Sequence, residues 1–550
     1  MTRTHRHDQP SSASFDYVIA GAGSAGCVLA NRLSADPRIS VCLIEAGPAD
    51  RSPLIHVPIG MASLYNHAKL NWRYQTVPQK LANDRVVYTP RGKVLGGSSA
   101  INGMVYMRGH PHDYDDWAAA GNEGWAFEDV LPYFLKSENN EVWRDSPLHG
   151  TGGPLNVCEL RTRNSVADRF IEAGRMLGFP ACDDFNGLSP EGVGYRQVTQ
   201  RNGRRESAAT AFLAPVRRRP NLCVVTNAHV DSIELDGLRA VGVRYVSDGE
   251  HRVVRARAEV VLSGGAVGSP LVLQRSGIGD ADYLASRDIP VVAHLPGVGQ
   301  NLQDHPAVSL SYATSSTEPY GISVKVLPRL AWGVLQYLFF RRGLLSSNVL
   351  EAAGYIRTES SIERPDIQFS FMSARRGGSS RKGSPSTQFG YGHGYGATAI
   401  LLRPKSKGSV RVAARDANVP PQIDGAFFSD GRDLDVLLRG LKLGRRLLNA
   451  QPFERYKARE LLPGSELQSD DALREFIRAN SGTAFHPVGT CAMGRSSDSV
   501  VSPELRVHGI DRLRVVDASV MPSIVGGNTN APTIMIAEKA SDMILRAAHR

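Results

Sequence analysis

Apolar segments and glycine turns alternate at the start of the chain in the order of a nucleotide-binding fold. Residues 15–20 (FDYVIA) form a short apolar run, GAGSAG follows at 21–26, and CVLANRLS then has the apolar spacing of a helix. A second apolar run, SVCLIEAG, contains Glu45 near its end. This order predicts a strand, a tight turn, a helix and a second strand, which together form one βαβ unit.

The three glycines of the turn have separable physical roles. Gly21 allows the tight turn, Gly23 lets the backbone approach a pyrophosphate, and Gly26 lets the helix pack closely on the strand. The positive end of the helix favours the phosphates, and Glu45 has the spacing of an acid that binds an adenosine ribose. The pattern predicts a nucleotide site, but it does not separate NAD from FAD.

Later segments predict two interleaved domains. A second glycine turn follows a strand-like run near 265, and the last 40 residues return to strand, glycine loop and helix, whereas 306–470 lacks nucleotide motifs. Within that stretch, 397–414 is predicted to form a hairpin. We predict a polar, flexible tail at 1–14, a nucleotide-binding domain at 15–160, 205–305 and 500–550, and a substrate domain at 161–204 and 306–499.

Composition and charge exclude several classes of protein. The 550 residues are 42% hydrophobic and 21% charged, as in a globular protein of more than one structural unit. The formal charge of +10 is scattered, so no nucleic-acid partner is expected. Six widely spaced cysteines without metal-binding spacing favour reduced thiols in a cytoplasmic protein and predict no metal site.

One apolar segment bears on membrane contact. Residues 330–340 (LAWGVLQYLFF) fall short of the roughly 18 apolar residues that a membrane span requires. Arginines flank the segment on both sides. The preferred interpretation is a helix of the substrate domain, and the alternative is peripheral contact with a membrane surface.

Six blocks of sequence, in order, resemble the glucose-methanol-choline (GMC) oxidoreductase family, and most closely its bacterial alcohol and choline dehydrogenases. The resemblance spans nearly the whole chain. The blocks are GAGSAG with Glu45, GKVLGGSSAINGMVY at 92–106, GAVGSPLVLQRSGIG at 265–279, NLQDHP at 301–306, HPVGTCAMG at 486–494, and VVDASVMPSIVGGNTNAPTIMIAEKASDMI at 515–544.

The resemblance implies a mixed α/β fold in which a Rossmann-like FAD-binding domain is interleaved with a substrate domain built on an antiparallel sheet. It implies that Val225 binds the adenine through its backbone and that a loop at 97–105 lies along the flavin. It also implies that Asp517 meets the phosphate or ribityl region of the cofactor and that Asn530 meets the pyrimidine end of the flavin. The implied FAD-binding positions are Gly21, Gly23, Ser24, Ala25, Gly26, Glu45, Ala46, Gly97, Ser98, Asn102, Gly103, Met104, Val105, Val225, Asp517, Ala518, Asn528 and Asn530.

The resemblance also implies a reaction. His486 matches the family's base, and an ordinary histidine pKa of about 6.5 leaves it neutral near neutral pH. It would take the hydroxyl proton of a primary alcohol while a hydride passes to flavin N5, with Asn528 as its partner. Glu351 and Phe371 are expected at the substrate. The expected enzyme is an FAD-dependent alcohol dehydrogenase that forms an aldehyde from an aliphatic or aromatic alcohol.

Several alternatives stay open at this point. A quinone-type acceptor is preferred over oxygen, while a choline dehydrogenase or an oxygen-using alcohol oxidase is the alternative within the reaction class. Hydroxynitrile lyases and fatty acid photodecarboxylases of the same family are the alternatives of another class. The sequence does not indicate an oligomeric state or decide whether the FAD is covalently attached.

Overall fold

The fold is taken from a computed structural model that describes residues 14–376 and 391–548. The predicted tail at 1–14 lies outside these residues apart from Ser14, which already belongs to the first strand. Within the described residues, no helix is both long enough and apolar enough to cross a membrane. The longer helices are Ser24–Leu33, Pro111–Ala119, Phe127–Ser137, Val166–Met176, Gly265–Arg275, Leu327–Phe340, Gly431–Leu448, Asp470–Asn480 and Asn530–Ala548.

The first of two large sheets, here the nucleotide sheet, has a parallel part and an antiparallel part. The long strand Glu250–Leu262 belongs to both parts, because it is parallel to the first strand on one side and antiparallel to its neighbour on the other. In order across the sheet, the strands are Leu222–Val225, Val41–Ile44, Ser14–Ala20, Glu250–Leu262, Arg239–Ser247 and Ala228–Asp236, with Leu513–Val515 also paired to Glu250–Leu262.

The second sheet, here the substrate sheet, is antiparallel throughout. The helices Gly431–Leu448 and Val166–Met176 cover one face with an apolar core, so the opposite face is free to line a cavity. In order, its strands are Arg459–Leu462, Pro306–Thr314, Gly392–Leu401, Ile367–Met372, Ala352–Ile356 and Gly192–Tyr195, with Gly321–Ile322 and Gly482–Thr483 paired at the side.

The hairpin predicted at 397–414 is wrong. The strand Gly392–Leu401 pairs within the substrate sheet, whereas Ser409–Arg411 pairs with Gln422–Asp424. Val410 and Ile423 of this small ribbon pack on the helix Gly265–Arg275. The alternating apolar pattern correctly indicated strands, but alternation does not identify the pairing partner, which long-range packing decides here.

Two predicted domain boundaries also change. The ribbon of Ser409–Arg411 and Gln422–Asp424 packs on a helix that follows the nucleotide sheet, although we assigned it to the substrate domain. Val488, Cys491 and Met493 belong to the core around the nucleotide sheet, so the predicted boundary at 499 lies too late in the chain. The remainder of the two-domain division stays a prediction.

Candidate active site

A cavity of about 640 Å³ lies between the two sheets. Its nucleotide side includes Gly21, Glu45 and Leu262 at the ends of parallel strands, and its opposite side includes Gln368 and Thr398 of the substrate sheet. The carboxyl edge of a parallel sheet is where α/β folds commonly bind nucleotides. The architecture therefore places a nucleotide-binding edge opposite a second, antiparallel wall.

The glycine turn lies at one end of this cavity. Gly21 has a φ of 108°, which favours glycine, and a Cβ on Gly26 would lie 1.9 Å from the Gly21 carbonyl oxygen. A Cβ on Gly23 would have no contact closer than 4.0 Å, which leaves this backbone open to the cavity. Gly21, Gly23, Ser24 and Ala25 line the cavity, whereas Gly26 lies behind it and sets the close packing of the helix on the turn.

Glu45 lines the cavity as predicted, with Ala46 beside it. Its Oε2 accepts a hydrogen bond from the Ala22 N–H at 3.0 Å and its Oε1 accepts one from the Gly47 N–H at 2.8 Å. Burial raises the pKa of Glu45 to about 7, although these backbone donors oppose the shift. The carboxyl group is therefore held in a fixed orientation at the cavity wall.

The assignment of Val225 to the adenine is wrong. Its carbonyl oxygen accepts a hydrogen bond from the Glu45 N–H at 2.8 Å, within the parallel pairing of the nucleotide sheet. The cavity wall is formed instead by Ala228 and Val230, which follow in the next strand. The sequence indicated the correct region, but the strand order determines which residue reaches the cavity.

The predicted flavin loop lies against the glycine turn. Gly97 has a φ of 52°, and a Cβ at this position would lie 2.7 Å from the Gly23 Cα. The Asn102 Oδ1 accepts hydrogen bonds from the Met104 N–H at 3.0 Å and from Arg205 Nη1 at 2.8 Å, which fix the loop. The predicted loop residues all line the cavity: Gly97, Ser98, Asn102, Gly103, Met104 and Val105.

Two helices begin at this cavity. Ser24 opens one helix and donates its hydroxyl to the Asn530 Oδ1, at the start of the terminal helix Asn530–Ala548, at 2.7 Å. Neither helix has an acidic residue in its first turn, so their positive ends are not neutralised from within. These helix ends, together with the open Gly23 backbone, fit an anionic dinucleotide such as FAD.

Asp517 and Ala518 form another part of the same wall. The Asp517 Oδ2 accepts from the Gly265 N–H at 2.8 Å and from the Ser269 hydroxyl at 2.6 Å, and its Oδ1 accepts from Ser519. Burial raises the pKa of Asp517 while these donors oppose the shift. Asp517 thus ties the second glycine turn to the C-terminal segment at the cavity.

His486 and Asn528 meet at the far end of the cavity, and both line it. The His486 Nε2 lies 3.0 Å from the Asn528 Nδ2, which donates to it, while the His486 Nδ1 lies 2.9 Å from the Nδ1 of His305. The Asn528 Oδ1 is buried and has no hydrogen-bond partner among the described residues. His305 lies in the block NLQDHP at 301–306, but the sequence did not indicate its direct contact with His486.

The two histidines are held together by a buried carboxylate. The Asp304 Oδ1 accepts hydrogen bonds from the backbone N–H groups of His305 and His486, both at 2.8 Å. Burial lowers the pKa of His486 well below its usual value, and His305, Arg91 and Arg196 lower it further. Burial also lowers the pKa of His305 to about 4. Both rings are therefore neutral near neutral pH, so each has one ring nitrogen with a lone pair that can accept a hydrogen bond or a proton.

The structure contradicts both predicted substrate residues. Glu351 is fully buried outside the cavity, where its carboxylate accepts from the Asn164 N–H at 2.7 Å, from Ser347 at 2.7 Å and from Tyr320 at 3.1 Å. Phe371 belongs to the core on the covered face of the substrate sheet, with its ring 4.9 Å from that of Phe170.

The residues that alternate with Phe371 reach the cavity instead. Gln368, Ser370 and Met372 of the same strand line it, because successive side chains in a strand point to opposite faces. Arg196 and Arg376 also line the cavity and were missed. The alternation of side chains along 367–372 could have identified Gln368, Ser370 and Met372. No local pattern indicated the two arginines.

Comparisons with known proteins agree with this arrangement. The sequence profile of the GMC oxidoreductases matches residues 15–307 and 404–537, and the chain belongs to this family. It is 45% identical to an alcohol dehydrogenase [acceptor] from Pseudomonas putida, over 97% of this chain and 96% of the relative. It is 41% identical to a mitochondrial choline dehydrogenase from Mus musculus, over 96% of this chain and 89% of the relative.

Solved structures show the same fold. A pyridoxine 4-oxidase from Mesorbium loti has a TM-score of 0.86 and 33% identity, covering 98% of this chain and 99% of its own. A formate oxidase from Aspergillus oryzae RIB40, described for its FAD modification, has a TM-score of 0.89 and 27% identity over the same shares. The predicted family, mixed α/β fold and oxidoreductase class are confirmed, and the prediction of FAD agrees with these descriptions. The individual roles of the site residues stay predictions.

Proposed function

We propose that this protein is an FAD-dependent dehydrogenase that oxidises a primary alcohol to an aldehyde. The observation that supports this proposal best is the position of His486 and Asn528. They are in contact at 3.0 Å, and both line the cavity that is also lined by the glycine turn and the flavin loop. A bound flavin supplies the acceptor for a hydride. The protein must then supply a base at the alcohol oxygen and hold the alcohol in a fixed orientation.

His486 performs the proton transfer in this proposal. The Asn528 amide donates to the His486 Nε2, which supports a ring whose Nε2 carries the lone pair. The proton of that ring then lies on Nδ1, which faces His305 at 2.9 Å and can donate to it. His305 is thus a positioning residue that selects the tautomer of His486. The Asn528 Nδ2 lies beside the His486 Nε2, where it can donate to the substrate oxygen without competing for the hydroxyl proton.

The charges near His486 argue against choline as the substrate. Arg91 and Arg196 both lie close enough to His486 to lower its pKa, and a quaternary ammonium would meet their positive field. Glu351, which could have attracted a cation, is buried outside the cavity and hydrogen-bonded there. A neutral or anionic alcohol fits this wall better than a cationic one.

Anaerobic mixing of the holoenzyme with alcohols in the dark tests the proposal. We expect loss of the oxidised flavin absorbance with a primary alcohol and release of one aldehyde per flavin. Bleaching that requires light would favour a photochemical reaction, and cyanide release from a cyanohydrin without bleaching would favour a lyase. The absence of bleaching with every alcohol would overturn the proposal.

A quinone is the proposed electron acceptor, and an exposed apolar helix supports this choice. Leu327, Trp332, Leu338, Phe339 and Phe340 of the helix Leu327–Phe340 are each more than half exposed. No acidic residue lies between 319 and 350, whereas Lys325, Arg329, Arg341 and Arg342 surround the apolar residues. Such a helix suits the surface of an anionic membrane, where lipid-soluble quinones reside. Leu350, which follows shortly after this helix in the chain, lines the flavin cavity.

Two measurements test the acceptor and the membrane contact. We expect a soluble quinone analogue to reoxidise the enzyme faster than oxygen, and hydrogen peroxide formed in proportion to the alcohol consumed would contradict this. The wild type should sediment with anionic vesicles, and a Leu338→Ser/Phe340→Ser variant should not. Equal sedimentation of the two proteins would remove the helix from membrane binding. The predicted cytoplasmic location stays a prediction.

A further inference from the structure

Three hydroxyl groups lie side by side on the cavity face of the substrate sheet. In the register of the sheet, Ser370 lies opposite Thr398, and Thr398 lies opposite Ser309. The Ser309 Oγ and the Thr398 Oγ1 are 3.2 Å apart, and Ser370 and Thr398 line the cavity. Ser309, Thr398 and Ser370 are called the hydroxyl row below. It is a polar stripe across three strands of an otherwise mainly apolar sheet.

An arginine binds each end of the hydroxyl row. Arg196 donates from Nη1 to the Ser370 Oγ at 3.0 Å and from Nη2 to the Phe369 carbonyl at 3.2 Å. At the other end, Arg376 donates from Nη1 to the Ser309 Oγ. Both arginines line the cavity, and Arg196 is only 4% exposed. The Arg196 Nε is buried and has no hydrogen-bond partner among the described residues.

Neither guanidinium has a carboxylate partner in the part of the chain that the structure describes. Two other buried arginines do have one, since Arg108 pairs with Glu138 and Arg514 pairs with Glu259. Buried Arg205, in contrast, donates only to carbonyl and amide oxygens. The sequence 377–390, which follows Arg376, contains no aspartate or glutamate. Arginine stays protonated in proteins, and a buried cation without an opposite charge is unfavourable. The cavity thus presents two guanidinium groups that form no ion pair with any described residue.

We propose that the alcohol substrate carries a carboxylate, which binds at the hydroxyl row in the positive field of Arg196 and Arg376 while its hydroxyl lies at His486. The inference rests on the proposed alcohol oxidation and names its substrate class. A guanidinium matches the planar geometry of a carboxylate, and a charged partner makes each hydrogen bond stronger than a neutral one does. Arg196, Arg376 and His486 all line the same cavity, so one small molecule can place its two ends at the hydroxyl row and at His486.

If the arginines act on the flavin and not on the substrate, a different result is expected. Positive charge beside a flavin also stabilises its negatively charged reduced form. In that case, loss of Arg196 would slow the oxidation of every alcohol by the same factor. Carboxylate recognition instead predicts a loss that is confined to substrates with a negative charge. The ratio of rates for paired substrates therefore separates the two roles.

The test compares 4-(hydroxymethyl)benzoate with benzyl alcohol, and 6-hydroxyhexanoate with 1-hexanol, in anaerobic flavin reduction. For the wild type, we expect the carboxylate of at least one pair to be preferred. The Arg196→Gln and Arg376→Gln variants should lower kcat/KM for the carboxylate about 10- to 100-fold more than for the neutral alcohol of the same pair. Arg244→Gln, which removes an exposed arginine on the nucleotide sheet, should alter neither substrate.

Binding of benzoate, which has no hydroxyl to oxidise, gives a second readout that does not depend on turnover. Benzoate should perturb the flavin absorbance of the wild type at lower concentration than neutral benzamide does, and Arg196→Gln should abolish this difference. Equal binding of benzoate and benzamide would overturn the inference. So would equal slowing of charged and neutral alcohols in the arginine variants.

The outcomes also separate this inference from the proposed function. Flavin reduction by neutral alcohols together with no reduction by any hydroxy acid would overturn the carboxylate site and leave alcohol oxidation standing. No reduction by any alcohol, charged or neutral, would overturn the proposed function and the substrate class with it. Preferential binding of benzoate in that case would still support an anion site at Arg196.

Discussion

The nucleotide wall of the cavity is formed largely by backbone, whereas the wall opposite it is formed by side chains. On the first wall, Gly21, Gly23 and Gly97 let main-chain segments approach one another and the cavity. On the second wall, the cavity face of the strand Ile367–Met372 carries Gln368, Ser370 and Met372. A wall made of backbone tolerates almost no change, because no rotamer can relieve a clash. A wall made of side chains can change its chemistry while the strand stays in place.

The largest effect is expected at Gly26. The Cβ of a Gly26→Ala variant would lie 1.9 Å from the Gly21 carbonyl oxygen, so the turn must deform. We expect this protein to be insoluble or to purify without FAD, measured by the flavin absorbance per protein. Gly333→Ala, in the helix Leu327–Phe340, is the matched control, because a Cβ at this position would have no contact within 4 Å. Normal flavin content in Gly26→Ala would contradict the close packing described for the turn.

The two faces of the substrate sheet can be compared at adjacent positions. Phe371 is fully buried in the core, so Phe371→Ala should destabilise the protein by about 3 to 5 kcal/mol in urea unfolding and leave the KM for alcohol little changed. Met372→Ala removes a side chain from the cavity wall and should raise the KM with a smaller loss of stability. A raised KM in Phe371→Ala, together with the larger loss of stability in Met372→Ala, would instead place Phe371 in the substrate site.

A smaller effect is expected at Asn528. Asn528→Ala removes the donor to the His486 Nε2 and should lower kcat/KM by roughly tenfold with FAD retained, the scale of one hydrogen bond. Asn530→Ala removes the acceptor for Ser24 and should lower the affinity for FAD instead. If Asn528→Ala loses FAD while its rate per bound flavin is unchanged, Asn528 belongs to the nucleotide wall.

His305 gives rise to a pH dependence of stability. Burial holds the pKa of His305 at about 4 in the folded protein, against about 6.5 in the unfolded chain. The unfolded chain therefore takes up a proton at this histidine first as the pH falls, so the contribution of His305 to the free energy of unfolding is largest above pH 6.5 and is lost between pH 6.5 and 4. His305→Asn should make the decrease in the free energy of unfolding over this range shallower in urea titrations. An unchanged slope would contradict neutral burial of His305.

The difference between the walls also explains what could be predicted from the sequence. Gly21, Gly23 and the loop at 97–105 line the cavity as expected, because their roles depend on local backbone conformation and on short motifs. Phe371 was placed on the wrong face, and Glu351 was placed in the cavity although it is buried outside it. Phe371 depends on which face of its strand distant helices cover, and Glu351 depends on hydrogen bonds from Asn164 and Tyr320, which are far away in sequence. Neither is encoded locally.

Contacts between residues far apart in sequence were the hardest to predict. His305 and His486 are separated by 181 positions, yet their Nδ1 atoms lie 2.9 Å apart because the Asp304 carboxylate accepts from both backbones. Arg196 meets Ser370 across 174 positions. Each pair is brought together by the pairing order of the substrate sheet. Motifs indicated His486, while its contact with His305 and the contact of Arg196 with Ser370 became evident only in the fold.

Anaerobic flavin reduction in the His486→Ala variant tests the central claim most directly. The variant should purify with a normal content of FAD, because His486 is not part of the glycine turn or the flavin loop. Its flavin should be reduced by the best alcohol at least about 100-fold more slowly than that of the wild type, the usual scale for loss of a general base. Reduction at the wild-type rate would contradict the account and remove His486 from proton transfer.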